Sequence, residues 1–325
     1  GSSGGEGAFI GAGGAPFGLG ADVGGSIRLP AFFNGVFGHK PSVGLVPNSG
    51  QYPLMMDPKA RLLSTGPLAR RAEDLHLLLQ VLMGPDGVDP VCRERELGDP
   101  SEVDVSDLVV YVVPGLEVLP PSQDMLEAQR KAAVMLERLG AEVREVSLPE
   151  FEKSFEIWGA MMYAADGPSF GELMGKPTTL SILRELTRWG RRRSPHTLPA
   201  LLLAVLEKVN GLLPQRNSEM VARGEALERE LTSLLGARGV LLFPSFPTVA
   251  PRHISAMLRP FHSMYTGLFN ALAMPVTQAP LGLDRQGLPL GVQIVAPDGA
   301  DHRTIAVGLA LEDAFGGWVP PWHVV

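Results

Sequence analysis

The chain has 325 residues, 45% of them hydrophobic and 19% charged, with a net charge of −7. This composition builds a globular core and excludes a disordered chain; the acidic balance excludes broad nucleic-acid binding, which needs a basic surface. A single cysteine, Cys92, rules out an internal disulfide framework, and no C-x-x-C, H-x-x-x-H or H-E-x-x-H pattern points to a metal.

No apolar run reaches the roughly 20 residues of a membrane-spanning helix, and no secretory signal stands at the start. The first 50 residues are rich in glycine interleaved with Phe, Ile, Leu, Pro and Arg, a pattern of tight turns and close backbone approaches. Ser3, followed three residues later by Glu6, is a capping-box pattern that predicts a helix from near Gly4. GLGADVGGSIRLPAFFNG predicts a short strand, a glycine turn and a helix from near Pro30. RAEDLHLLLQVLM, 71–83, has helical spacing, and the polar stretch 84–106 reads as a surface connection. LVVYVVP, 108–114, reads as a buried strand, 121–139 as an amphipathic helix ending at Gly140, and AEVREVSL as a strand. That strand–helix–strand pattern points to an α/β fold. Residues 150–235 read as mostly helical, with breaks near Pro177, Pro195, Pro199 and Pro214. GVLLFPSFP is a strand, YTGLFNALAMP a helix, MPVTQAPLG and LPLGVQIVA strands, and 301–315 a last helix.

The chemistry concentrates in GADVGGSIRLP. Gly24 and Gly25 precede Ser26, so successive N–H groups can turn to one side and hold a developing oxyanion within reach of the hydroxyl. The plainer reading is a tight turn with Ser26 as a helix cap. G-x-S-x-G is absent around Ser26, G-x-G-x-x-G fails at Val23, and there is no G-x-x-x-x-G-K-[ST], so neither an ordinary nucleophile elbow nor a phosphate cradle fits. Arg28 is read first as a buried ion-pair member, with orientation of the Asp22 carboxylate or shaping of the leaving-group side as its functional alternative. Ser3 is read as the helix cap, with a place in the hydrogen-bond network as the lesser alternative. The seven histidines take core or surface roles.

The two Gly/Ser clusters together, GSSGGEGAFIGAGGAPFGLGADVGGSIRLPAFFNGVFGHKPS over 1–42, resemble the amidase signature family. The likeness continues in TGPLARRAEDL, FPSFPTVAP, YTGLFNALAMPVTQAPLG and GLPLGVQIVAPDGADH. FFNGVFGHKPSVGLVPNSGQYP and LEDAFGGWV are similar to the branch that hydrolyses fatty-acid amides. The resemblance implies one amidase domain over 1–325, a mixed twisted sheet flanked by helices on both faces, with 150–235 as a helical insertion. It also implies a Ser–Ser–Lys mechanism in which Ser26 is the nucleophile and Ser2 the bridging serine. Val23, Gly24, Gly25 and Ser26 match the backbone oxyanion hole. The family's catalytic lysine lies ahead of the G-S-S-G-G segment at which this chain begins, and Lys40 matches a structural lysine. The chain is therefore expected to be N-terminally shortened, and to hydrolyse amides very slowly or not at all.

The implied substrate is a long-chain fatty-acid primary amide or N-acylethanolamine, cleaved without cofactor or metal. Another amide, polar or aryl, or a non-catalytic binding module that keeps the fold, are the alternatives. Within 178–213, Leu-rich helical faces, Trp189 and the basic run Arg191, Arg192, Arg193 read either as an ordinary hairpin with a solvated tip or as a cap that dips into a membrane surface. The resemblance favours an intracellular, membrane-associated protein, any anchor lying ahead of Gly1, and leaves a homodimer open.

Overall fold

Eight strands form one sheet in the order β1-β3-β2-β7-β8-β6-β4-β5. In chain order they are β1 (Phe17–Asp22), β2 (Phe37–Lys40), β3 (Ser64–Ala69), β4 (Val109–Val112), β5 (Glu142–Glu145), β6 (Gly239–Pro244), β7 (Val276–Leu283) and β8 (Pro289–Val295). The computed structural model describes residues 1–51, 62–164, 172, 174, 181–211, 214–252, 255 and 260–323. The break expected near Pro177 lies outside them. β4 pairs in parallel with β5 and β6, and the remaining pairs are antiparallel, so the sheet is mixed as expected.

Both faces are covered. On one lie α3 (Ala72–Leu82), α4 (Gln123–Arg138) and α10 (Asp301–Phe315), packed on Val110, Val112, Val240, Leu242 and Ile294. On the other lie α5 (Ser154–Ala164), α8 (Pro214–Leu235) and α9 (Met264–Ala271), packed on Val109, Tyr111, Leu241, Phe243 and Val295. Successive residues of β4 and β6 thus serve opposite layers. A strand buried on both sides has no polar alternation, which is why these segments read as continuous apolar runs. The α5 and α8 parts of 150–235 belong to the layer that covers the sheet. Between them, α6 (Ile182–Gly190) and α7 (Leu198–Gly211) project the arginine-bearing turn.

Two of the expected breaks fall where new helices start. Pro214 is the first residue of α8 and Pro199 the second of α7. Proline suits the first turn because its missing N–H would have no partner there. The helix expected from Pro30 begins two residues earlier, as α2 (Arg28–Phe33), and α1 covers Gly4–Gly11. A Cβ on Gly7 would lie 2.8 Å from Pro30 Cβ, so α1 can lie directly on α2 only where its facing residue has no side chain.

Candidate active site

β1 ends at Asp22, and the turn 23–27 carries the chain into α2. Asp22 builds that turn. Its Oδ1 accepts the Gly25 N–H at 2.6 Å and its Oδ2 the N–H groups of Ile27 and Arg28 at 3.1 and 3.4 Å. Arg28 closes on the same carboxylate, Nε to Oδ2 and Nη2 to Oδ1, both at 3.0 Å, and both side chains are fully buried. Burial alone would raise the Asp22 carboxyl. The Arg28 charge and the hydrogen bonds from Arg28, Gly25 and Asn270 outweigh it and hold the group well below the usual carboxylate range.

The remaining guanidinium donors reach residues far along the chain. Arg28 Nη1 donates to Gln293 Oε1 at 2.7 Å and Nη2 to Asn270 Oδ1 at 2.5 Å. Asn270 Nδ2 returns hydrogen bonds to the Asp22 carbonyl and carboxylate and to the Leu62 carbonyl, each at 3.0 Å. Gln293 Nε2 donates to the Pro244 and Tyr265 carbonyls. Arg28 is thus the buried ion-pair member of the first reading, and it orients Asp22 as the second reading supposed. Asn270 and Gln293 were not singled out from sequence.

The two serines meet. Ser26 is half-buried, Ser2 is exposed, and Ser26 Oγ accepts the Ser2 N–H at 3.0 Å. The Ser3 N–H donates to the Ser26 carbonyl at 3.3 Å, so the opening segment is laid along the Ser26 turn by two hydrogen bonds. The capping role expected of Ser3 is not what its side chain does. It makes no cap hydrogen bond; its Oγ instead accepts the Ala21 N–H at 3.3 Å, drawn to a donor of β1. The first turn of α1 is closed by the Ser3 carbonyl, which accepts the Gly7 N–H.

The expected oxyanion set needs one correction. The Gly25 N–H is committed to Asp22 and points into the buried hub, leaving Val23, Gly24 and Ser26 as the backbone donors at the turn. Gly25 must still be glycine: its φ is +110°, and a Cβ there would collide with the Thr266 side chain. Trp158 of α5 donates from Nε1 to the Val23 carbonyl at 2.8 Å, and Thr266 of α9 from Oγ1 to the Gly24 carbonyl at 2.8 Å. Beside Ser2 opens a cavity of about 700 Å³ whose lining includes Ser3, Glu6, Leu19, Gln51 and Thr65.

Lys40 is fully buried. Its Nζ donates to the Pro41 carbonyl at 2.9 Å and to Ser64 Oγ at 3.4 Å. Among the described residues no lysine amine is hydrogen-bonded to Ser2 or Ser26. Behind β2, His39 lies between Thr277 Oγ1 at 2.8 Å and Asp301 Oδ1 at 3.0 Å, and Asp301 also accepts the Ser42 N–H and hydroxyl. This Thr–His–Asp set looks like hydrolytic machinery, but every member is sealed from solvent, and it ties the start of α10 to β2. Among the described residues no group of His, Cys, Asp and Glu could hold a metal ion.

Two serines brought together from the G-S-S-G-G and G-G-S-I-R segments, on a mixed sheet with helices on both faces, are the hallmark of one class of protein. The Amidase family profile matches residues 1–305, and the chain belongs to the amidase signature family. Among known proteins it is 45% identical to fatty-acid amide hydrolase 2 of Homo sapiens, an alignment covering 99% of this chain and 61% of that protein. Of solved structures, a bacterial aryl acylamidase superposes with a TM-score of 0.76 at 25% identity, covering 97% of this chain and 65% of the other. The peptide amidase of Stenotrophomonas maltophilia shares the fold with the same TM-score, 0.76, at 23% identity, over 99% of this chain and 66% of that one. The chain spans about 61% of the length of the fatty-acid amide hydrolase 2 proteins it matches.

Proposed function

We propose that this chain carries the nucleophile half of an amide hydrolase acting on long-chain fatty-acid amides. The observation that carries the reading is the 3.0 Å hydrogen bond from the Ser2 N–H to Ser26 Oγ, across 24 residues of sequence, beside a turn whose Val23, Gly24 and Ser26 N–H groups have no acceptor among the described residues. In the proposed reaction Ser26 Oγ attacks the amide carbonyl while the N–H groups of Val23, Gly24 and Ser26 receive the developing negative charge. The Ser2 hydroxyl takes the nucleophile's proton into a relay that delivers it to the departing amine. Water then cleaves the acyl-enzyme to free fatty acid. A serine hydroxyl needs a base to attack at neutral pH. The Lys40 amine is spent on the Pro41 carbonyl and Ser64, and among the described residues no lysine amine is hydrogen-bonded to Ser2 or Ser26, so slow turnover by this chain alone is part of the proposal.

The lipid substrate is supported by the 45% identity to fatty-acid amide hydrolase 2 and by an aromatic wall beside the turn, Trp158, Phe155 and Phe261, with neighbouring ring centroids 6.4 and 5.0 Å apart. The membrane-facing role of 178–213 belongs to the same proposal. Leu183 (75% exposed), Trp189 (41%) and Leu202 (40%) are presented on α6 and α7, with Arg191, Arg192 and Arg193 exposed at the turn between them. Leu201 does not belong to that face, being fully buried. Among the described residues no helix is long and apolar enough to cross a membrane.

The test is covalent labelling with a fluorophosphonate, read by intact mass and peptide mapping. A single adduct on Ser26, lost in Ser26→Ala and blocked by a long-chain primary amide but not by glutamine or a small aryl amide, is the expected result. Blocking by the polar or aryl amide alone overturns the lipid assignment, and no adduct on Ser26 overturns the hydrolase.

A further inference from the structure

Two side chains from the helical layer grip consecutive carbonyls of the nucleophile turn. In a planar trans peptide the C=O and the following N–H point in opposite directions. Whatever fixes one therefore aims the other. Trp158 Nε1 holds the Val23 carbonyl at 2.8 Å, which sets the direction of the Gly24 N–H. Thr266 Oγ1 holds the Gly24 carbonyl at 2.8 Å, nearer than its helical alternative at Ser263, 3.1 Å away, and so sets the Gly25 N–H. That second N–H is consumed by Asp22. The first has no acceptor among the described residues, and it stands two residues from Ser26.

The indole is itself clamped. A Cβ on Gly24 would lie 3.2 Å from Trp158 Cζ2, and one on Gly267 of α9 would lie 3.2 Å from Cδ1 and Cγ. The ring thus fills a slot between two glycines, and a Cβ on either side would force it to give by a few tenths of an ångström. Phe155 and Phe261 extend the same wall outward.

Resting on the hydrolase reading above, we propose that Trp158 and Thr266 are positioning residues that preorganise the turn, aiming the Gly24 N–H as one of its oxyanion donors and locking the Gly25 N–H onto Asp22. Neither touches the reacting atoms in this arrangement; each acts through a backbone carbonyl. A preorganised donor is effective because no reorientation is needed as charge develops.

The experiment uses the full 325-residue chain with Trp158→Phe, which keeps an aromatic ring but removes the donor, and Thr266→Val, which removes the hydroxyl at nearly constant volume. Phe261→Ala, which thins the wall and leaves both carbonyl contacts, is the control. Glycine-selective ¹⁵N spectra give amide exchange at each residue. Thr266→Val is expected to speed exchange at Gly25 by about ten-fold or more, and Trp158→Phe to move the Gly24 amide resonance, while Phe261→Ala changes neither. In fluorophosphonate labelling of Ser26, the maximal rate is expected to fall by about ten-fold for Trp158→Phe with the half-saturating probe concentration unchanged. That is less than the hundred-fold or more lost when an oxyanion donor is deleted outright. Wild-type exchange at Gly25 in Thr266→Val together with an unmoved Gly24 resonance in Trp158→Phe overturns the proposal. If the unmutated chain takes no label, the hydrolase reading fails and the exchange data alone decide the positioning role. Should Trp158→Phe fail to fold, Thr266→Val and the Gly25 amide still decide it.

Discussion

Replacing Lys40 by Met should make the protein more stable at neutral pH and flatten its response to alkali. The amine is fully buried, and among the described residues no carboxylate pairs with it. Burial first, and the nearby Arg28 charge second, push its pKa down from 10.5 to about 8, against the opposing pull of Asp22, Asp301 and Asp298. The unfolded chain therefore binds more protons than the folded one between those two values, and stability must rise with pH across that window. A fall from 10.5 to about 8 corresponds to about 3 kcal/mol of cost carried by the folded state below pH 8. Lys40→Met removes the cost and sacrifices the Pro41 hydrogen bond, worth about 1 kcal/mol. Urea unfolding between pH 7 and pH 10.5 measures the difference. The wild type should gain about 3 kcal/mol relative to Lys40→Met across the range, with the variant ahead at pH 7. Parallel stability curves, or a variant less stable at pH 7 than at pH 10.5 relative to wild type, would refute the assignment.

Asp22→Asn leaves the fully buried Arg28 without its counter-ion and should cost about 3–5 kcal/mol. Because the Asp22 pKa is depressed in the folded state, its stabilisation is whole above the ordinary value of 3.8 and is lost as pH falls below it, so acid unfolding should be less steep in the variant than in wild type. Gly25→Ala meets both a φ of +110° and the Thr266 side chain, and should lose about 1–3 kcal/mol in thermal or urea unfolding together with Ser26 labelling. Serine at Leu183, Trp189 and Leu202 together should abolish flotation with anionic vesicles while leaving the melting temperature close to wild type; undiminished flotation would remove α6 and α7 from any membrane contact.

Long periodic elements were legible because their burial is dictated by local pattern. The helix read over 301–315 matches α10 (Asp301–Phe315), and GVLLFP carries β6 in six residues buried on both faces. β2 and β3 escaped the same reading. FGHK and STGPLA are fully buried, yet they contain Gly, Pro, His and Lys, and their character comes from pairing partners distant in sequence. The pairing of Ser2 with Ser26 was legible only through the resemblance to the amidase signature family, since the glycine clusters alone leave Ser26 equally readable as a helix cap. The Asp22–Arg28 hub was half visible: Asn270 and Gln293 sit 242 and 265 residues from Arg28, and nothing local marks an amide side chain as a guanidinium partner. The free direction of the Ser3 hydroxyl was not legible either, because a cap and a bridge to the neighbouring strand need the same residue type.

The hub also dates the turn during biosynthesis. Residues 22–28 leave the ribosome well before residue 270, but the hydrogen bonds that complete their carboxylate and guanidinium come from Asn270 on α9 and Gln293 on β8. Until those residues emerge, a nascent chain holds a charged pair it cannot bury, since an ion pair missing its hydrogen-bond partners is costly to desolvate. The serine turn can then reach its final hydrogen bonding only once α9 and β8 have been made. A chain stalled before residue 270 would carry the serine turn without the two amide side chains that complete its hub.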